Sequence, residues 1–364
     1  MKIVHIINSL ATGGAEKLLL ETLPLYKEKG IQIDVLVLNG FEHPFMRELQ
    51  SLKCCTIFSL GSQSVYNPVN VLKIIPYLKK YDVVHVHLFP AQYWVVLAKI
   101  LSFSKAKLIF TEHNSTNRRL ENPLFRLIDK YIYTFYCTVI CITEDIRTML
   151  LKHTGSYAEK FLVIENGINL GSITKAVAID RKKIDSALRA EDTILIQVAG
   201  FREQKDQSTL IRSMVLLPPG VKLLLVGEGV LKNQHKELVE SLGLQKRVLF
   251  LGLRMDIPQL LKTADIIVLS SKYEGLSLSS IEGMASGKPF VASDVPGLSE
   301  VVSGAGILFP VGDEQALTNA ISKLLQDAQY YETVATACQK RASNYAIETM
   351  VKKHITLYSS FGKS

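Results

Sequence analysis

The chain has 364 residues, more than one hydrophobic core usually holds, and its 48% hydrophobic and 21% charged composition excludes a disordered protein. A formal net charge of +8 admits three anionic partners: nucleic acid, an acidic lipid surface or a small anionic substrate. No apolar run reaches the ~18 residues of a spanning helix, no secretory leader pattern is visible, and the five cysteines lack metal or disulfide spacing, so we expect a cytoplasmic chain with reduced, packing cysteines.

In chain order, short apolar runs alternate with helix-length segments. Strands are expected at 3–7, 33–38, 83–87, 108–111, 139–142 and 161–164, with helices at 15–29 and 44–52 and helical spacers between the later strands. This is the pattern of an α/β, doubly wound parallel sheet with helices on both faces. After Gly171 a polar stretch leads into a second series, with strands at 194–198, 222–226, 248–251, 266–269 and 289–292. Two Rossmann-like domains in tandem follow, and residues 347–360 have helical apolar spacing suited to packing across the junction between them. Basic residues of the first half are interleaved with apolar segments such as 93–103, which fits rest on an anionic membrane face, although no single segment is a clean amphipathic anchor.

Ligands of such sheets bind beyond the carboxyl ends of the strands, and the notable loops lie there. Gly13 and Gly14 follow the first strand; they match neither the dinucleotide fingerprint nor the phosphate loop of ATPases. Glu112, His113 and Asn114 follow the strand at 108–111, Gly200 to Asp206 follow 194–198, and Gly227 follows 222–226. Arg202 and Lys205 are cations placed to neutralise a diphosphate. The segment from Tyr273 to Glu300 carries Glu274 and Glu282, separated by seven residues around a turn that opens a short helix. Ser277 or Ser279 is suited to cap that helix, Gly287 to end it in the left-handed region, and Pro289 to stop it. Free amides of Gly275, Leu276 and Ser277 would receive an anion while the carboxylates accept hydrogen bonds from sugar hydroxyls. His85 and His87 share a strand face, but no acidic third ligand is near in sequence, so no metal is expected. The loop 114–123, with Arg118 and Arg119, is a candidate acceptor lid.

The segments GGAEK, EHN, ENGI, FREQKD, LLVGEG, VLFLG and YEGLSLSSIEGMASGKPFVASDVPGLSE, in this order and spacing over nearly the whole chain, resemble those of family 4 retaining glycosyltransferases. The resemblance implies the GT-B fold, two Rossmann-like domains facing across a cleft: an acceptor-side domain at 1–171, joined by the final helix at about 346–364, and a donor domain at 172–345. It implies transfer of a sugar from a nucleotide donor, usually a UDP-sugar, with retention and without a metal or other cofactor. The acceptor is expected to be a glycan or lipid-linked glycan of surface polysaccharide synthesis at the inner membrane face; nucleic acid is not an expected partner. By the same resemblance Glu274 would bind hydroxyls of the donor sugar, Glu282 the ribose, the amides of Leu276 and Ser277 a phosphate, and Lys205 the diphosphate. Gly14 would let its helix face the donor phosphate or the reacting sugar, His113 would contact the donor sugar, and the backbone of Leu253 or Arg254 the base. One position departs from the family: an arginine is common five residues before the lysine, where this chain has Gly200, and Arg202 is the candidate replacement. Without a protein nucleophile, the acceptor would attack on the face that the diphosphate leaves, a phosphate oxygen taking its proton. Alternatives are a nucleotide-sugar 2-epimerase of the same fold and an inactive sugar-nucleotide-binding subunit.

Overall fold

The computed structural model describes residues 1–113, 122–155 and 158–362; the proposed lid residues Asn114, Arg118 and Arg119 lie outside them. The chain forms two compact units, one of Met1–Gly167 with Ile347–Ser364, the other of Ile168–Ala346.

The first unit is built on seven parallel strands: β1 (Ile3–Ile7), β2 (Ile33–Val37), β3 (Ile57–Ser59), β4 (Val83–His87), β5 (Lys107–Glu112), β6 (Thr138–Cys141) and β7 (Phe161–Val163). Their order is β3-β2-β1-β4-β5-β6-β7, so the winding reverses between β1 and β4. The strands are rich in Val and Ile because both faces are covered by helices; Val4, Ile6, Val35, Val84, Leu108 and Val139 are wholly buried. Parallel register sets His5 of β1 beside His85 of β4, and His87 beside Thr111 of β5. The C-terminal helix Ile347–Ser360 belongs to this unit and buries Ile347, Met350, Val351, His354 and Tyr358.

The second unit has six parallel strands: β8 (Thr193–Val198), β9 (Val221–Val226), β10 (Val248–Gly252), β11 (Ile266–Leu269), β12 (Phe290–Ser293) and β13 (Ile307–Phe309). The order β10-β9-β8-β11-β12-β13 reverses between β8 and β11. Two strands escaped the sequence reading, β3 and β13. Each has three residues, too short to show a period, and each lies at a sheet edge. The cysteines are all free, but only Cys141 and Cys338 are buried; Cys137 is exposed, because it precedes β6 instead of lying within it.

Candidate functional site

In the second unit the winding reversal opens a crevice between the carboxyl ends of β8 and β11, and the residues singled out there meet. Beyond β8 a single tight turn, Glu203–Lys205, aims Lys205 at the loop that follows β11. Its Nζ lies 2.5 Å from Glu274 Oε1, and the Ser271 hydroxyl donates to the same oxygen at 2.6 Å. Glu274 is 8% exposed, so these two donors replace the hydrogen bonds that water would give it. The two loops are tied along their length. Gln204 Nε2 donates to the Tyr273 carbonyl at 2.9 Å, the Lys272 amide to the Gln204 carbonyl at 2.8 Å, and Ser270 Oγ to the Asp206 carbonyl at 2.8 Å. Buried Gln197, from β8, donates to the Lys205 carbonyl at 3.0 Å.

After Glu274 the chain enters the helix Leu278–Ala285. The amides of Gly275, Leu276 and Ser277 have no hydrogen-bond partner among the described residues, and they point the positive end of the helix at the crevice. Ser277 holds the N-cap position, yet its hydroxyl pairs with Ser279 Oγ at 3.1 Å and caps no amide. Glu282 is 6% exposed on the same helix. Gly287 takes φ +78° just past the helix end, as its position predicts.

Glycines let backbones touch around this crevice. Gly227 has φ +142° and a Cβ there would lie 2.2 Å from the Ala199 carbonyl oxygen. At Gly297 a Cβ would lie 2.1 Å from the carbonyl oxygen of Gly275 and 2.5 Å from that of Glu274. Gly297→Ala must therefore displace the two-glutamate loop, and a loss of about 1–3 kcal/mol is expected from urea unfolding. An unchanged midpoint would show that the loop does not rest on this contact.

At Gly200 a Cβ would lie 3.3 Å from the Glu228 carbonyl oxygen and 3.9 Å from Arg202 Nε. Arg202 is exposed, its Nε lies near position 200, and its side chain has no ion pair or hydrogen bond among the described residues. Beyond β10, Leu253 is 48% exposed, and Arg254 is held in a two-point pair with Asp256 at 2.7 and 2.5 Å.

In the first unit, Gly13 caps the helix Gly14–Glu28, leaving Gly14 in its first turn. His113 directly follows β5, and its Nε2 lies 3.1 Å from His87 Nδ1. Behind it the sequence reading missed a third histidine: His5, His85 and His87 are buried with ligand-type nitrogens within 4.8 Å of one another. His5 is 80 residues from His85 in sequence and reaches it only as a strand neighbour. Burial lowers the pKa of His5 to about 3 and of His113 and His354 to about 4, and holds His85 and His87 well below the usual range. The rings are accordingly neutral at physiological pH.

The family model described as glycosyl transferases group 1 matches residues 178–343, and that described as glycosyltransferase family 4 matches residues 12–172. The Escherichia coli UDP-Gal:alpha-D-GlcNAc-diphosphoundecaprenol alpha-1,3-galactosyltransferase is 27% identical over 295 residues, 77% of this chain and 76% of that protein. A Campylobacter jejuni 4-alpha-N-acetylgalactosaminyltransferase acting on a diphospho-undecaprenol glycan is 22% identical over 360 residues, 93% and 94% of the two chains. Among solved structures, Anabaena HepE in complex with UDP-glucose superposes with a TM-score of 0.84 at 25% identity, over 99% of this chain and 100% of that one. WaaG, a glycosyltransferase of lipopolysaccharide biosynthesis, shares the fold with a TM-score of 0.74 at 16% identity over 97% of this chain and 98% of that one.

Proposed function

The chain belongs to the family 4 glycosyltransferases of the GT-B fold, and on that premise we propose that it is a retaining, metal-independent enzyme using a UDP-sugar donor. The observation that carries this reading is the Lys205–Glu274 pair at the winding reversal of the second sheet, beside the unpartnered amides of Gly275, Leu276 and Ser277. A cation and amides suit a diphosphate, and a carboxylate beside them suits a sugar hydroxyl. In this reading donor binding takes Lys205 to the diphosphate and leaves Glu274 to accept from the sugar. Glu282 accepts from the ribose, Leu253 or Arg254 reads the base by its backbone, and Gly14 and His113 serve the phosphate and sugar from the first unit. Arg202 Nε lies 3.9 Å from where a Cβ at position 200 would sit, which supports it as the replacement for the family's arginine.

The relatives that act on diphosphoundecaprenol-linked glycans support a lipid-linked or glycan acceptor in surface polysaccharide synthesis, at the cytoplasmic membrane face. No helix among the described residues is long and apolar enough to cross a membrane. One helix can lie on it. Pro123–Thr134 exposes Leu124, Leu127, Ile128 and Tyr131, spaced i, i+3, i+4 and i+7, by 64, 69, 36 and 58%, with exposed Arg126 and Lys130 on the same helix. The helix is short, and its buried face, with Ile132 and Tyr133, hides this exposed stripe in sequence. Leu127→Ser with Tyr131→Ser is expected to weaken sedimentation with phosphatidylglycerol vesicles about tenfold while leaving transfer to a soluble acceptor intact. Equal sedimentation would rule this helix out as the contact.

The donor is tested by measuring nucleotide release from UDP-, GDP- and ADP-sugars. UDP release above the others supports the reading; preference for another nucleotide overturns the donor assignment.

A further inference from the structure

A continuous line of buried polar groups runs through the first unit and ends at His113. Thr111 Oγ1 lies 2.6 Å from His85 Nε2, and His85 Nδ1 lies 2.7 Å from the Tyr358 hydroxyl. That hydroxyl lies 3.1 Å from His5 Nε2, His5 Nδ1 lies 3.0 Å from His87 Nε2, and His87 Nδ1 meets His113 Nε2 at 3.1 Å. His5, His85, His87, Thr111 and Tyr358 are each at most 5% exposed, so bulk solvent does not reach these bonds. A neutral imidazole has one N–H and one bare nitrogen, so a ring that donates on one side must accept on the other. The sense of the line is set at the Tyr358 hydroxyl, which also pairs with the Tyr26 hydroxyl, itself 2.7 Å from His354 Nδ1.

We propose that this line makes His5, His87, His85 and Tyr358 positioning residues that hold His113 in one tautomer, with its Nδ1 bare and able to accept from a sugar hydroxyl. The distances choose the sense. At 2.7 Å the Tyr358–His85 contact is that of an O–H donor on a nitrogen lone pair, while the 3.1 Å contact to His5 is that of an N–H donor on oxygen. Tyr358 then donates to His85, which donates through Nε2 to Thr111. On the other side His5 donates to Tyr358 and accepts from His87, and His87 accepts from His113 Nε2–H. His113 Nδ1 has no partner among the described residues. The arrangement uses every one of the nitrogens that would bind a metal at His5, His85 and His87, and it needs no ion.

The proposal rests on the reading of His113 as a sugar contact, and two measurements separate them. Long-range proton–nitrogen NMR of the full chain reads each ring's tautomer: a single Nε2–H form is expected for His113, becoming a mixture in Tyr358→Phe. Should that variant fail to fold, Thr111→Val removes the far acceptor of the line and is expected to give the same mixing. A mixed or Nδ1–H wild-type His113, an unchanged variant, or stoichiometric zinc in the purified protein would overturn the proposal. Donor hydrolysis is the second measurement, with kcat expected to fall about five- to tenfold in Tyr358→Phe at unchanged UDP affinity. If the tautomer mixes and kcat stays, the line stands and the sugar contact of His113 is wrong.

Discussion

Lys205→Ala is expected to lower kcat by about 10²- to 10³-fold, the usual loss when one fixed donor to a developing negative charge is removed. The lysine is placed for this by backbone: its carbonyl is held by Gln197 and Ser270, and its ammonium reaches a carboxylate that is itself anchored by Ser271. The substitution also strands Glu274, buried with only the serine left as donor, so donor affinity should fall with turnover. Lys205→Arg keeps the charge but not the compact ammonium, and is expected to recover only part of the rate. Arg202→Ala should cost less, about tenfold, since the exposed guanidinium is better screened. Should Arg202→Ala leave transfer near wild type while Lys205→Ala abolishes it, Arg202 does not replace the missing arginine. If Lys205→Ala itself is active within a few fold, the diphosphate is held elsewhere.

Folding stability is expected to fall steeply as the pH drops below 6.5. His5, His85, His87, His113 and His354 are kept neutral by burial, so below the unfolded pKa of about 6.5 the unfolded chain binds protons that the folded chain refuses. Stability from these groups is thus present above 6.5 and is lost on acidification, down to about 4 for His113 and His354 and about 3 for His5. Each such ring contributes a slope approaching ~1.4 kcal/mol per pH unit, so His5 and His354, the two most clearly buried with a stated value, give about 3 kcal/mol per unit together. Urea unfolding of the first unit at pH 7.5, 6.5 and 5.5 measures this. A flat response between 7.5 and 5.5 would mean that the rings are charged in the folded state or open to water.

The fold was legible because a parallel sheet buried on both faces writes itself as separate runs of Val, Ile and Leu, and because ligand loops must follow those runs. Strands such as Ile3–Ile7, Val83–His87 and Ile266–Leu269 have the bounds that the pattern predicts. Two of the three-residue edge strands, Ile57–Ser59 and Ile307–Phe309, were not legible, while the third, Phe161–Val163, was marked by its apolar run. Glu274 and Lys205 could be named because turn chemistry and charge mark loops, but their pairing across 69 residues needed the strand order. The histidine line is the clearest failure of local reading. His5, His85 and Thr111 come from three strands and Tyr358 from the last helix, and only register and the return of that helix bring them together. The apolar stripe of Pro123–Thr134 was hidden for the opposite reason: a short helix with apolar residues on two faces looks like core.

The most direct test follows UDP-glucose and UDP-N-acetylglucosamine by proton NMR with the enzyme in chelator, without acceptor. We predict slow release of UDP with the first-formed sugar in the donor's own anomeric configuration. A sugar of opposite configuration, or conversion of the donor to its 2-epimer, would contradict a retaining transferase built around Lys205 and Glu274.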